Sequence, residues 1–321
     1  MNGKFTWDNR IAKGANTMGD WEKIELTSTT GAALDARLWR PEGEAVGVVQ
    51  LVHGMSEHIA RYDEAARALC AAGYAVAGHT HLGHGESAQT LGYFAEQGGW
   101  DALIADVHLL RQKVQALYPG KPYFLLGHSM GSFVARTYCL THEDGLSGVV
   151  LSGTGHQPQA VVRMGALVAD VQKAFGLAKK PGKLLNQMSF GSYNKAFQPN
   201  RTGYDWLSAN PDNVNAYIAD PYCGFPFTVQ GYRDLFDGLS RLAPGHLSAM
   251  KPEVPVYLFS GAEDPVGAAG KGVNITAEEL RAAGVKDVTV KLYAGGRHEM
   301  FNENDRAQVF ADLVAWLDAH R

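Results

Sequence analysis

Residues 122–131 read Pro-Tyr-Phe-Leu-Leu-Gly-His-Ser-Met-Gly, and this stretch decides the fold class. An apolar run of strand length leads into the pattern G-x-S-x-G, and residues 132–140 predict a helix. A strand, a sharp turn and a helix in this order lift a serine hydroxyl above the sheet, at the positive end of the helix. The pentapeptide alone is short enough to arise by chance, with Ser129 in an ordinary turn. Its flanking elements favour Ser129 as a nucleophile.

Strands alternate with helices on both sides of this stretch. Apolar and polar residues alternate around Thr30-Gly31 and predict a hairpin with strands over 21–28 and 32–40. Other strands are predicted over 45–52, 74–77, 122–126, 148–151, 255–260 and 288–293, with helices over 58–72, 101–118, 132–140 and 307–320. These eight strands with intervening helices indicate an α/β fold with a mostly parallel sheet.

The alternation stops between about residues 155 and 249. This segment contains helical patterns and loops rich in Asn, Asp, Pro and Tyr, without a run typical of a core strand. An insertion that follows a strand lies over the carboxyl edge of the sheet, where ligands bind. We therefore predict a core made of residues 1–154 and 250–321, and a mainly helical cap made of residues 155–249.

Composition limits the classes of protein that the chain can represent. Its 321 residues are 45% hydrophobic and 19% charged, which suits a globular protein with a substantial core. A net charge of −4 argues against a nucleic-acid partner. We expect no secretory signal and no membrane-spanning helix, because the chain has neither an apolar leader pattern nor about 18 consecutive apolar residues. Cys70, Cys139 and Cys223 are widely spaced, so we expect free thiols and a cytoplasmic location.

A serine nucleophile needs a base, and the base needs an acid that orients it. In this topology the chain order is serine, acid, histidine. Asp264 follows the predicted strand 255–260, and His298 follows the predicted strand 288–293. Glu263 is a rival acid, but the Asp-Pro step favours Asp264 at the turn. His298 could also be an ordinary surface histidine, although its position fits the base better.

Acyl transfer also needs backbone N–H groups that stabilise negative charge on the carbonyl oxygen. One donor should belong to the residue after the nucleophile, which is Met130, and the other to the loop after an earlier strand. Met55 follows the strand 45–52 in the order Val52-His53-Gly54-Met55 and is the second expected donor. We expect His53 to be a structural residue rather than a base.

Five motifs in this order resemble the α/β-hydrolases of the monoacylglycerol lipase and lysophospholipase group, also called serine aminopeptidase-like hydrolases. They are H-G-M-S-E-H (53–58, followed by Arg61-Tyr62), L-G-H-G-E-S (82–87), G-H-S-M-G (127–131), S-G-A-E-D-P-V-G (260–267) and G-R-H-E-M (296–300). The resemblance covers nearly all of the chain from Trp21. It implies Ser129 as nucleophile, Asp264 as acid and His298 as base, with oxyanion donors at Met55 and Met130. Glu57 and His58 would border the site, with structural bonding their expected role.

The chain departs from these relatives at one position. Thr80 occupies a position where relatives often carry an Asp. Because that Asp is usually structural, its absence here puts little of the chemistry in doubt. His79, His81 and His84 stand close together in the same loop and could suggest a metal site. Metal sites usually need further ligands at defined spacing, so we expect no metal.

The predicted cap contains an apolar helix face formed by Val161, Met164, Leu167, Val168, Val171 and Phe175, with Arg163, Lys173, Lys179, Lys180 and Lys183 nearby. This face could line and cover the site, or it could touch a lipid surface. We favour packing over the site. Aromatic residues in 194–197, 204–207 and 220–225 could line an acyl pocket or pack within the cap.

The resemblance implies a serine hydrolase that cleaves carboxylic esters through an acyl-enzyme, with an acyl chain and a glycerol-like or other small alcohol group in the substrate. No metal or organic cofactor is implied. An aminopeptidase or amidase of the same fold is the main alternative, and a haloperoxidase-like side activity stays open. A catalytically silent ligand-binding protein would usually lose a triad member, and here all three are present. Acyl length and oligomeric state are not determined by the sequence.

Overall fold

The computed structural model describes residues 21–321, so the prediction that the chain lacks a leader segment lies outside the described residues. The described chain opens with the expected hairpin, in which β1 (Glu22–Thr27) and β2 (Ala33–Trp39) pair antiparallel. Gly31 lies in the connecting turn with φ 87°, a conformation that glycine adopts at little cost. The hairpin predicted around Thr30-Gly31 is confirmed.

One eight-stranded sheet organises the described chain, in the order β1-β2-β4-β3-β5-β6-β7-β8. The remaining strands are β3 (Gly47–Val52), β4 (Tyr74–His79), β5 (Tyr123–His128), β6 (Gly148–Ser152), β7 (Val256–Gly261) and β8 (Val288–Tyr293). Strand β2 pairs antiparallel with β4, and every pair from β4 to β8 is parallel. This confirms the predicted mostly parallel α/β sheet.

Helices cover both faces of the sheet. They are α1 (Asp63–Ala71), α2 (Gly99–Leu117), α3 (Met130–His142), α4 (Gln159–Ala174), α5 (Lys183–Phe190), α6 (Pro211–Ala219), α7 (Val229–Ser240), α8 (Pro244–Leu247), α9 (Lys271–Ala282) and α10 (Arg306–Ala319). The predicted helix 58–72 is divided, because residues Ile59–Tyr62 form a 3₁₀ turn before α1. Such tightening is common at helix ends.

The two faces of the sheet bury two apolar clusters, because side chains alternate along each strand. Val48 and Val52 of β3 join the cluster that contains α2, α3 and α9, whereas Val49 and Leu51 join the cluster that contains α1 and α10. Every residue of strands β3 to β7 is buried, as expected for a parallel sheet covered on both sides. This rigid centre fixes the loops at its carboxyl edge.

Helices α4 to α8 all lie between β6 and β7, in the segment where the alternation of strands stops. Helix α4 packs on α7, and a side chain at Gly165 would collide with the Phe236 ring. The narrow buried face of α4 consists of Val162, Gly165 and Ala169.

The expectation that the larger apolar face of α4 packs over the site is wrong for five of its six residues, and only Val168 is half-buried against the core. Val161, Met164, Leu167, Val171 and Phe175 are all exposed, and Leu167 and Phe175 retain 64% and 79% of their accessible surface. The reason is steric: the small side chains of Gly165 and Ala169 let α4 approach α7 closely, and the bulky residues are left on the outer side of the helix. Leu184 and Met188 of α5 are exposed as well.

Candidate active site

Ser129 stands at the junction between β5 and α3, where the chain turns sharply. Its backbone has φ 53° and ψ −121°, a region that non-glycine residues rarely enter. The Ser129 N–H donates to the carbonyl of Ser152 at 2.9 Å, which ties the turn to the end of β6. A side chain at Gly127 would collide with the backbone of Gly131, and one at Gly131 would collide with the Val52 carbonyl. The two glycines of G-x-S-x-G are therefore required by close backbone approach.

Asp264 and His298 meet in the interior, at the ends of β7 and β8. Asp264 Oδ2 accepts hydrogen bonds from His298 Nδ1 at 3.0 Å and from the Ser260 hydroxyl at 2.8 Å. Its Oδ1 accepts the Val266 N–H at 2.9 Å, so both carboxylate oxygens are held. Asp264 is fully buried, whereas Glu263, the rival acid, is exposed.

The Asp264 carboxylate also changes the acidity of His298. Burial by itself lowers the pKa of His298, but the charge of Asp264 and its hydrogen bond outweigh burial and raise this pKa above its ordinary value. With Nδ1 bonded to Asp264, Nε2 is the nitrogen available for proton transfer. His298 and Ser129 line the same cavity.

Two rings flank His298. The His128 ring lies 4.7 Å from it and the Trp206 ring 5.2 Å, measured between centroids. Burial, followed by the neighbouring His298, lowers the pKa of His128 to about 4. His128 is therefore neutral at pH 7 and places no positive charge beside His298.

The loop after β3 passes directly over the serine. A Cβ atom at Gly54 would lie 2.7 Å from Glu57 Oε1 and 3.1 Å from the Ser129 Cβ, so a side chain there would require both neighbours to shift. The next residue, Met55, lines the cavity beside Ser129. Met130 begins α3, and the N–H groups of a first helical turn have no intrahelical acceptor. Met55 and Met130 thus lie next to Ser129, and their role as oxyanion donors stays a prediction.

The histidines near this loop form structural hydrogen bonds. His53 Nδ1 donates to the Gly54 carbonyl at 2.8 Å, and its Nε2 accepts the His81 N–H at 2.9 Å. Burial, and after it the neighbouring His81 and His84, holds the pKa of His53 well below its ordinary value. His84 Nε2 accepts the Ser56 N–H at 3.2 Å. His53 therefore orders the loop, as expected.

Thr80 and the histidine group have no arrangement typical of a metal centre. The Thr80 hydroxyl accepts the Ile59 N–H at 3.4 Å, a structural bond at the position where relatives often carry Asp. Within residues 21–321, ligand atoms of three or more His, Cys, Asp or Glu residues converge at one place only. That group consists of His58, Asp220 and Cys223, not of His79, His81 and His84.

A buried ion cluster lies beside the cavity, and of its members the sequence analysis expected a structural role only for Glu57. Arg61 Nη1 donates to Glu57 at 2.6 Å and to Glu299 at 2.9 Å, while Nη2 donates to Glu299 at 2.7 Å. Glu57 also accepts the Gly54 N–H at 2.6 Å, and Glu299 accepts from Asn213 of α6 at 2.7 Å. Arg61 therefore connects the loop over Ser129, the residue after His298 and helix α6.

The charge balance of this ion cluster is visible in the pKa of Glu299. Burial alone would raise that pKa, but the Arg61 guanidinium and the hydrogen bonds from Arg61 and Asn213 hold it well below its usual range. Glu57 and Glu299 belong to the motifs at 53–58 and 296–300, as the second residue after Met55 and the next residue after His298. The available signal was a glutamate within each of these two loop motifs, with Arg61 shortly after the first.

The cavity above Ser129 has a volume of about 470 Å³ and a mixed lining. Apolar side chains form part of it, namely Met55, Phe190, Trp206, Leu207, Tyr217 and Phe225. Amide side chains form another part, namely Asn186, Gln187, Asn194 and Asn200. Most of these residues belong to the segment between β6 and β7. Aromatic residues from 204–207 and 220–225 thus line the cavity, whereas Phe197 instead packs under the Arg297 guanidinium.

The fold and the serine elbow place this protein in the α/β-hydrolase class. The sequence profile described as "Serine aminopeptidase, S33" matches residues 43–305, and the chain belongs to this family. A monoacylglycerol lipase from Mycolicibacterium smegmatis is 30% identical over 286 residues, which cover 88% of this chain and 92% of the relative. Human monoglyceride lipase is 28% identical over 299 residues, covering 91% and 89%.

A solved structure supports the same assignment. A thermostable carboxyl esterase from Bacillus coagulans, solved in complex with glycerol, superposes with a TM-score of 0.88 at 29% identity. The match covers 95% of this chain and 99% of the esterase. Among residues 21–321, no helix combines the length and hydropathy needed to cross a bilayer.

Proposed function

We propose that this protein hydrolyses monoacylglycerols and similar esters that combine an acyl chain with a small hydroxylated alcohol. It is a serine hydrolase of the ester-cleaving type, in keeping with its family and its lipase and esterase relatives. One observation carries the proposal: His298, which is bonded to the buried Asp264, lines the same 470 Å³ cavity as Ser129.

In the proposed mechanism, His298 Nε2 takes the proton of Ser129 as the hydroxyl attacks the ester carbonyl. Asp264 stabilises the resulting imidazolium through Nδ1. The backbone N–H groups of Met55 and Met130 stabilise the oxyanion. His298 then protonates the leaving alcohol, and a water molecule activated by His298 releases the acid from the acyl-enzyme. This route requires neither a metal nor an organic cofactor.

We further propose that residues 155–249 act as a cap on a core formed by 1–154 and 250–321, and that the cap selects the substrate. The apolar lining suits an acyl chain, and the amide groups of Asn186, Gln187 and Asn194 suit hydroxyl groups of the alcohol. Specificity for acyl length should therefore follow Phe190, Trp206 and other cap residues rather than the sheet.

Ser129→Ala tests the nucleophile. We expect loss of turnover of p-nitrophenyl butyrate and loss of labelling by a fluorophosphonate probe, with an unchanged circular dichroism spectrum. The matched control is Ser248→Ala at an exposed serine, which should keep full activity. A panel of monoacylglycerols and lysophosphatidylcholine with graded acyl lengths then defines the substrate. Full activity of Ser129→Ala would refute the assignment.

An amidase or aminopeptidase is less well supported by the charges of the cavity. An aminopeptidase needs an available carboxylate for the substrate ammonium group. Glu57 and Glu299 line the cavity, but both already accept hydrogen bonds from Arg61. We expect aminoacyl p-nitroanilides to react far more slowly than esters. Faster cleavage of the anilides would favour the peptidase.

We also propose a transient contact with lipid surfaces through the outer face of α4 and α5. Leu167 and Phe175 are exposed beside Met164 and Leu184, and lysines flank this face. The Leu167→Ser/Phe175→Ser variant should lose flotation with vesicles of phosphatidylcholine and phosphatidylglycerol. Ile275→Ser is the control, because Ile275 is also exposed, at 45%, but lies on α9. Equal flotation of both variants would refute the contact.

The cytoplasmic location predicted from the free cysteines stays a prediction. Cell fractionation tests it, with activity expected in the cytosolic fraction. Activity confined to a secreted fraction would contradict it.

A further inference from the structure

A second group of side chains, which the proposed ester hydrolysis does not use, contains the ligand types that zinc binds in proteins. It consists of His58, Asp220 and Cys223. Their ligand atoms all lie within 4.8 Å of one another, and all three residues are half-buried. His58 belongs to the loop after β3, whereas Asp220 and Cys223 follow α6. The group therefore joins two parts of the chain that are 162 residues apart at the His58–Asp220 contact.

The ligand atoms are near enough for one ion to bind all three after small side-chain shifts. Zinc bonds of about 2.0–2.3 Å place neighbouring ligand atoms roughly 3.5 Å apart. His58 Nε2 now donates to Asp220 Oδ2 at 2.7 Å, so these two atoms must separate slightly to admit an ion. Their side chains are 15% and 27% exposed, which leaves room for that shift and for a water ligand.

The surroundings hold the carboxylate in place, whereas the thiol is protonated until the ion binds. Asp220 Oδ1 accepts the Tyr222 N–H at 2.8 Å, an orienting bond of the kind that supports metal ligands. Burial raises the pKa of the Cys223 thiol, so the ion must displace the thiol proton when it binds.

We propose that His58, Asp220 and Cys223 bind one thiophilic divalent cation of the zinc class. The ion completes a tetrahedral N, O, S set with one water. It lies beside existing hydrogen bonds between the same two segments: the Gly224 N–H and the Tyr217 hydroxyl donate to the Ser56 carbonyl at 3.0 and 3.1 Å. Since Ser56 and Gly224 both line the cavity, the ion fastens the cap segment to the loop over Ser129.

Cobalt(II) is the direct probe, because a thiolate ligand gives cobalt an intense near-ultraviolet charge-transfer band. The full chain should show this band at one equivalent of Co²⁺, and Zn²⁺ should abolish it. Cys223→Ser should lack the band. The matched control is Cys70→Ser, which removes the other half-buried thiol and should leave the band intact.

A second set of variants tests the ligands that cobalt absorption does not identify. Asp220→Asn and His58→Gln should each weaken Zn²⁺ binding by at least about tenfold in calorimetry, since even residues that only orient ligands have effects of that size. Zn²⁺ should raise the Tm of the unsubstituted protein and of Cys70→Ser, but not of Cys223→Ser. Circular dichroism and fluorophosphonate labelling confirm that each variant is folded.

Three results would overturn the proposal. They are the absence of the charge-transfer band in the unsubstituted protein, its retention in Cys223→Ser, and equal Zn²⁺ affinity in Asp220→Asn. Retention in Cys223→Ser would assign the band to another thiol, and equal affinity in Asp220→Asn would leave the His58–Asp220 contact as a hydrogen bond alone.

Discussion

Replacing Arg61 by methionine should destabilise the protein strongly, because two buried carboxylates lose their shared cation. The Arg61 side chain is 11% exposed, and those of Glu57 and Glu299 are 5% exposed. Removing one partner of a buried ion pair costs about 3–5 kcal/mol, because an uncompensated charge is left behind. We expect a loss of this size in the free energy of unfolding, measured by urea denaturation at pH 7.

The same substitution should reduce catalysis. Glu57 accepts a hydrogen bond from the Gly54 N–H at 2.6 Å. Displacement of Glu57 would therefore shift the loop that carries Met55. A misplacement of about 1 Å can lower a rate by about 10²-fold. We therefore expect Arg61→Met to lower kcat for p-nitrophenyl butyrate at a temperature where the variant is still folded.

Two further variants separate this explanation from a general loss of packing. Arg233→Met removes an ion pair with Asp170 whose side chains are 31% and 50% exposed, and should cost at most about 1 kcal/mol. The triple variant Arg61→Met/Glu57→Gln/Glu299→Gln removes the carboxylate charges and should recover stability relative to Arg61→Met. If Arg61→Met costs no more than Arg233→Met, or if the triple variant is the least stable, the reasoning is refuted.

The remaining predictions concern proton equilibria. Asp264→Asn should lower kcat by roughly 10⁴-fold, because it removes the charge that stabilises protonated His298; the acidic limb of its pH–rate profile should move to lower pH, and an unmoved limb would contradict this. Burial lowers the pKa of His79, His84 and His128 to about 4 each. The unfolded chain binds their protons near pH 6.5, so the stability these histidines contribute is complete above pH 6.5 and decreases as the pH falls towards 4. We expect a loss of about 2 kcal/mol per histidine at pH 5 in urea unfolding, and equal stability at pH 7 and pH 5 would contradict this.

The fold could be predicted from the sequence because its signals are local. The apolar runs around 45–52 and 122–126 are short and continuous, and each ends in a turn, so the strands β3 and β5 were found within a few residues of their bounds. The position of Ser129 between a strand and a helix follows from the same signals. Asp264 and His298 were expected as partners from their places after strands, and they share a 3.0 Å hydrogen bond.

What the sequence could not provide depends on contacts between distant segments. The apolar spacing along α4 predicts an apolar helix face, but it does not predict which face is buried. Packing against α7 buries Gly165 and Ala169 and leaves Leu167 exposed to solvent. The bond between Arg61 and Glu299 joins residues 238 positions apart, which no local pattern encodes. The same holds for the group formed by His58, Asp220 and Cys223.

The backbone of Ser129 has a consequence for how this protein could change. A conformation near φ 53° and ψ −121° costs a residue other than glycine about 1–3 kcal/mol. The fold would therefore tolerate Ser129→Gly with a gain in Tm, and it would lose its nucleophile in the same step. Stability and reactivity are opposed at this single position, so selection for robustness alone would drive the protein towards an inert scaffold.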